Sequence, residues 1–155
     1  MMTILTKDLL QELFDYKKGQ LIRRVSRGNA KVGDIAGSLN TNGYVAIQVN
    51  GSIYKAHRLI WMWHNGEVPE GLEIDHINGV KDDNSIDNLR PVTHQENSFN
   101  TTTKGYGWHK QHNKFQAYIK TNNKTKYLGL FDDEKDAHQA YLDAKSKLHI
   151  IEVAA

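Results

Sequence analysis

Apolar positions mark out the first elements of the chain. In TKDLLQELFDY, Leu9, Leu10, Leu13 and Phe14 recur at helical spacing behind Thr6, a residue suited to capping, and predict a short amphipathic helix. QLIRRV reads as a strand. GYVAIQVNGSIYKA contains two short β-prone runs about Asn50-Gly51, a pair that accepts the left-handed backbone of a tight turn, and so predicts a hairpin. AHRLIWMWHNG then returns to helical spacing, with Leu59, Ile60 and Trp63 turned to a core and an end near Gly66.

The middle of the chain changes pattern. LEIDHI predicts a strand, NGVKDDNSIDN a turn-rich loop and LRPV a returning strand. Thr93, with Glu96 three residues on, predicts a capped short helix over HQENSFN. Residues 101–104 read as a linker. Beyond them YGWHK, KFQAYIK and TKYLGLF predict three strands, with turns at Asn113 and at Asn122-Asn123. A helix from Asp132 or Asp133 to about His149 carries Ala137, Ala140, Tyr141, Ala144 and Leu148 on one face. The expected class is α+β. A helix-plus-hairpin lead segment spans 1–56, a strand–loop–strand–helix core 57–100, and a three-stranded antiparallel sheet packed on one helix 105–155.

Composition narrows the possibilities. The 155 residues suffice for one ordinary domain or two small ones, and 39% hydrophobic residues with two prolines suit a globular chain. The sequence has no cysteine, so neither a disulfide partner nor a cysteine-based zinc site is expected, and a reducing, cytoplasmic setting fits. MMTILTKDLLQELF lacks the basic start and long apolar run of a signal peptide, and no stretch has the length of a membrane span. The net charge of +2 is unevenly spread: residues 1–56 hold eight basic and four acidic side chains, 57–100 three and eight, and 101–155 nine and six. Basic flanks suit a polyanion, and a bound cation would account for the acidic middle. Solvated surface charge would give the same counts.

EIDHINGVKDDNSIDNLRPVTHQEN concentrates the candidate chemistry. Adjacent side chains on a strand point to opposite faces, so Asp75 can meet a metal while His76 handles a proton. Neutral imidazole is the natural general base near neutral pH. A carboxylate is a hard ligand for Mg²⁺, which keeps most of its waters, and the Asn97 side-chain oxygen could be a second ligand. Asn88, ahead of the returning strand, could bond to backbone and hold the loop. An isolated Asp-His pair, by contrast, is usually a hydrogen-bonded surface feature.

With these residues in this order, the stretch resembles the HNH nucleases, in particular the homing-endonuclease branch of phages and introns. Asp75-His76, Asn88, Asn97 and the segment DNLRPVTHQEN carry the likeness, and YKAHRLIW resembles the lead-in to that site. The resemblance implies a central ββα-metal motif. It implies His76 as the base that activates water, Asp75 and Asn97 as holders of one divalent ion (Mg²⁺, with Mn²⁺ as a substitute), and Asn88 as an orienting residue. It further implies hydrolysis of DNA to 5′-phosphate and 3′-hydroxyl ends. His94 lies one helical turn from Asn97, where a site contact and plain exposure are equally expected. His57 is expected to pack or hydrogen-bond beneath the site, and Arg90 either to reach a phosphate or to pair with a nearby Asp. His64, His112, His138 and His149 read as surface or packing residues.

The segment from Gly105 to His149 resembles the APETALA-type, ethylene-response-factor DNA-binding domain of plants, most closely in YLGLFDDEKDAHQAY, with Gly129, Phe131, Ala137 and Tyr141 on its pattern. Period two turns Phe115, Ala117 and Ile119 to the helix and Gln116, Tyr118 and Lys120 outward. The likeness adds His109, Thr125 and Tyr127 to that outward face. Six lysines and no acidic residue lie between Lys104 and Lys126, among them Lys110 and Lys126, and suit phosphate contacts. The plant domains read DNA with arginines, and this chain has Lys, His, Gln and Tyr instead, which predicts a different or looser specificity. In 1–56, Lys17, Lys18, Arg23, Arg24, Arg27 and Lys31 either touch the DNA backbone or are solvated.

The expected function is a metal-dependent DNA endonuclease of the HNH homing type, from a phage acting inside a bacterial host, with double-stranded DNA as partner. One site per chain implies one nick per binding event; a double-strand break would take a second engagement or a dimer. The competing expectations are a DNA-binding regulator with a silent nuclease fold, and an RNA-binding or structural module.

Overall fold

The computed structural model describes residues 5–100 and 103–151 and is mixed α and β, with four helices and several small antiparallel sheets among the described residues. Thr101 and Thr102 of the expected linker lie outside them. Two compact units divide the chain, 1–94 and 95–155.

In the first unit, helix α1 (Lys7–Leu13) starts at Thr6, whose side chain accepts from the Leu9 amide. The helix stops one residue before the sequence pattern does. Phe14 turns to extended backbone and opens β1 (Phe14–Lys17), which pairs with β2 (Gln20–Arg23). The two-residue turn between them, Lys18-Gly19, has φ of 47° and 78°, the double positive φ that matches strand twist in a tight hairpin. That turn overrides the helical periodicity of Phe14 and Tyr16. A two-residue strand β3 (Ser38–Leu39) joins β4 (Val45–Val49) and β5 (Ser52–Lys55) in a sheet of order β3-β4-β5. Asn50 and Gly51 make the turn between β4 and β5, with φ of 49° and 87°.

Helix α2 (Ala56–Asn65) follows directly and ends at Gly66. Its Ala56, Leu59 and Ile60 join Leu10, Phe14, Leu21, Ala36, Ile47, Val49, Ile74 and Leu89 in one buried cluster, against which Trp63 packs half-buried. The lead segment and the acidic middle of the chain thus share a core. Strands β6 (Leu72–His76) and β7 (Leu89–Thr93) pair antiparallel across the long loop, and a 3₁₀ turn at Ile86–Asn88 precedes β7. Helix α3 (His94–Phe99) begins immediately after β7.

In the second unit, β8 (Tyr106–His109), β9 (Lys114–Thr121) and β10 (Lys124–Phe131) form an antiparallel sheet of order β10-β9-β8. Helix α4 (Glu134–Leu148) packs on it, with Ala137 and Tyr141 buried together with Ala117 and Ile119 of β9. Asp133 caps α4 by accepting from the Lys135 amide. Asn122 and Asn123 supply the positive φ of the β9–β10 turn, and a bulge at Leu128 shifts the register of β10 between Tyr127 and Gly129. The Phe99 ring of α3 stacks on His149, with centroids 3.9 Å apart.

Candidate active site

The site grows from the last two residues of β6. Ile74, Asp75 and His76 are all buried, so this strand end is covered on both faces. Alternation sends the two polar side chains opposite ways. Asp75 stands across from Arg90 of β7, and its Oδ2 accepts from Arg90 Nε at 3.2 Å and Nη2 at 2.9 Å. Of the two partners foreseen for Arg90, the structure provides the neighbouring Asp.

His76 points into a small aromatic cluster. Its ring lies edge-on to His57, centroids 4.7 Å apart, and 6.1 Å from the Tyr44 ring. His57, at the start of α2, is 4% exposed and makes these ring contacts beneath His76. Burial, then the neighbouring charges of His76, Lys55 and Arg58, push its pKa down to about 3, so it is neutral at ordinary pH. The Nζ atoms of Lys55 and Lys81 lie 4.3 and 5.1 Å from the Tyr44 ring centroid, putting two cations beside the cluster.

The loop between β6 and β7 is closed by asparagines. Asn88 accepts from the Asn78 amide at 3.0 Å and donates to Asn78 Oδ1 at 3.0 Å and to the Asp83 carbonyl at 2.7 Å. Asp83 in turn accepts from the Ser85 hydroxyl and the Asn78 side chain, which holds its carboxyl below the usual range. Asn84, 3% exposed, reaches inward and places Oδ1 2.9 Å from Nε2 of His76. The sequence reading missed Asn84, along with Tyr44, Lys55 and Lys81. DDNS offers nothing to rank Asn84 above its polar neighbours, whereas Tyr44 and Lys55 at the two ends of a predicted hairpin are within reach of pattern reasoning.

The other expected residues are placed as follows. His94 lies exposed at the start of α3 and bonds Glu73 Oε1 through Nδ1 at 3.0 Å. Asn97 lies on α3, within the second unit. Among the described residues no three His, Cys, Asp or Glu side chains converge as a metal-holding group. On the second unit's sheet, the register sets His109 opposite Lys114, Thr125 opposite Lys120 and Tyr127 opposite Tyr118. Directly opposed residues share a face, so these project with Gln116 from the side away from α4. Tyr118 and Tyr127 are exposed. Lys126 stands opposite Ile119 and projects the other way, and Lys110 is in the β8–β9 turn. No described helix is long and apolar enough to cross a membrane.

Residues 54–99, which carry Tyr44's neighbour Lys55, the His57–His76 pair and the whole asparagine loop, match the HNH endonuclease family. No solved structure matches the chain. Protein 3.8 of Escherichia phage T7 is 34% identical over 82 residues, an overlap of 46% of this chain and 68% of the phage protein. The chain therefore belongs to the family of that phage protein and carries an HNH endonuclease domain at residues 54–99.

Proposed function

We propose that the protein is a DNA endonuclease of the HNH homing type that hydrolyses a phosphodiester bond to 5′-phosphate and 3′-hydroxyl ends, one strand per site, in a phage-infected bacterial cell. The observation that carries this reading is the buried Asp75-His76 pair at the end of β6, with the imidazole bonded to Asn84 and the loop tied by Asn88. His76 takes the proton of the attacking water as general base. Asn88 keeps the loop against it. Lys55 and Lys81 attract the DNA backbone towards His76, and the basic sheet of the second unit, read as APETALA-like, binds the duplex through Gln116, Tyr118, Lys120, Thr125, Tyr127 and His109.

The donor set suits a hard divalent ion. Asp75 is a buried carboxylate already held in place by Arg90, and Mg²⁺ asks for only one or two protein oxygens because it retains water. Asp75 would hold it, and the bound ion would polarise the scissile phosphate and stabilise the leaving oxygen.

A second reading has its own observation. Arg90 already neutralises Asp75, which would suit a DNA-binding protein whose nuclease fold is silent. Supercoiled-plasmid cleavage with Mg²⁺ or Mn²⁺, by the wild type and by His76→Ala, decides between them. Open circles from the wild type alone support the nuclease; DNA binding by both proteins without any cut supports the silent fold.

A further inference from the structure

We propose that the outward face of the β8–β9–β10 sheet is a stacking platform for unpaired bases, so that the protein binds DNA carrying a single-stranded stretch in preference to intact duplex. The proposal rests on the reading of this sheet as DNA-binding, but not on cleavage. Tyr118 of β9 and Tyr127 of β10 stand directly opposite each other, and directly opposed residues share a face. They are 42% and 55% exposed. Among the described residues neither ring packs against another ring, and neither hydroxyl is hydrogen-bonded. Two neighbouring rings left open in this way offer flat apolar surface, and every base has a π-face to lay on it.

The rest of the face fits the same partner. Gly107 of β8 stands opposite Gln116, which neighbours Tyr118 on this face of β9. The backbone at Gly107 is not left-handed and so does not demand glycine, and a Cβ built there meets nothing within 4 Å. What glycine supplies is a bare floor beside Gln116, where a flat base can come close to the strand. Lys120 follows Tyr118 on the outward face, and Lys110 and Lys124 are exposed at the ends of the sheet. No acidic residue lies between Lys104 and Lys126, so the surroundings attract a phosphate backbone. Arginine is the side chain that best reads base edges in a groove, and none follows Arg90 in this chain. Paired bases hide their faces from a tyrosine, whereas unpaired bases present them.

The experiment is fluorescence anisotropy of the full chain in EDTA, where no metal-dependent cut intervenes, with labelled duplexes of about 30 base pairs at about 100 mM salt. One duplex is intact, one carries a bulge of about four thymines, and one carries the same bulge built from abasic sites. The abasic bulge has the flexibility of the thymine bulge without its bases. The wild type should bind the thymine bulge about 10-fold or more tightly than either of the others. The double variant Tyr118→Phe, Tyr127→Phe keeps both rings and should keep that preference. The double variant Tyr118→Leu, Tyr127→Leu should bind all three duplexes alike, since both side chains lie on the surface and only the rings are lost. Equal affinity of the wild type for the thymine and abasic bulges, or a preference that survives in the leucine variant, overturns the proposal. Equal and tight binding of all three duplexes by the wild type does so while leaving the sheet a duplex binder. A wild type that binds the thymine bulge but never nicks a plasmid with metal loses the nuclease reading and keeps the platform.

Discussion

The guanidinium of Arg90 donates from both Nε and Nη2 to a single oxygen of Asp75, at 3.2 and 2.9 Å, across the β6–β7 pair. The two side chains are only 15% and 8% exposed. A pair this buried is costly to break from one side, because the remaining charge loses its counter-ion in a medium that solvates it poorly.

Arg90→Leu should therefore destabilise the first unit by about 3–5 kcal/mol, and adding Asp75→Asn should recover most of the loss. Denaturant melts of the three proteins check this. If Asp75 holds the divalent ion, Mn²⁺ should raise the melting temperature of Arg90→Leu more than that of the wild type, because the ion replaces the lost cation. Equal shifts in the two proteins would show that the ion does not reach Asp75.

Lys55 and Lys81 share the Tyr44 ring, and each raises the positive potential beside His76. Two ammonium groups drawn to one ring repel each other, and a phosphate between them would relieve that repulsion. Replacing both with Gln should weaken DNA binding and lower the slope of log affinity against log salt by about one for each lysine. Nicking at saturating DNA should change little. A loss confined to kcat would contradict a backbone-binding role.

Much of the architecture was legible because its signals are local. Asn50-Gly51 and Asn122-Asn123 announce their hairpins through the positive φ they accept, and the alternation in KFQAYIK separates the buried Ala117 and Ile119 from the exposed Tyr118 and Lys120. The strand at Phe14–Lys17 was hidden because Phe14 continues the helical pattern of α1, and the deciding signal is Lys18-Gly19 beyond it. The two-residue strand at Ser38–Leu39 is too short to have a period at all. Asp75 and His76 stood out as adjacent, chemically unusual neighbours. Asn84 did not, since its importance comes from a bend that turns one asparagine of a polar loop inward, and that bend depends on the distant Gly19 turn and the Tyr16 hydroxyl.

A glycine in the second unit makes a sharper packing test than any apolar residue there. Gly105 has φ of 71°, and a Cβ built on it would overlap the ring of Tyr141, which is buried on α4. Its carbonyl also accepts the Tyr118 amide of β9 at 2.9 Å, so the backbone cannot easily swing away. Gly105→Ala should cost the second unit about 2 kcal/mol or more, from an unfavourable backbone and an overfilled contact together. Gly28→Ala, at φ of 60° with nothing near its Cβ, tests the backbone effect alone and should cost about 1 kcal/mol. Thermal melts of both variants make the comparison.

His57 gives the protein an acid-sensitive core. In the folded chain its pKa is lowered to about 3 by burial and by the charges of His76, Lys55 and Arg58, whereas in the unfolded chain it returns to an ordinary value of about 6.5. Between those two values the unfolded state binds a proton that the folded state refuses, so unfolding is favoured as pH falls. The contribution of a neutral His57 is fully present above pH about 6.5 and is lost progressively as pH drops towards about 3. Asn or Gln at this position cannot take up the proton. His57→Gln should therefore lower stability at neutral pH, through lost packing against His76, but flatten the decline below pH about 6. Stability measured by denaturant at several pH values, without added metal, gives both curves. Parallel curves for wild type and His57→Gln would assign the acid sensitivity to other groups.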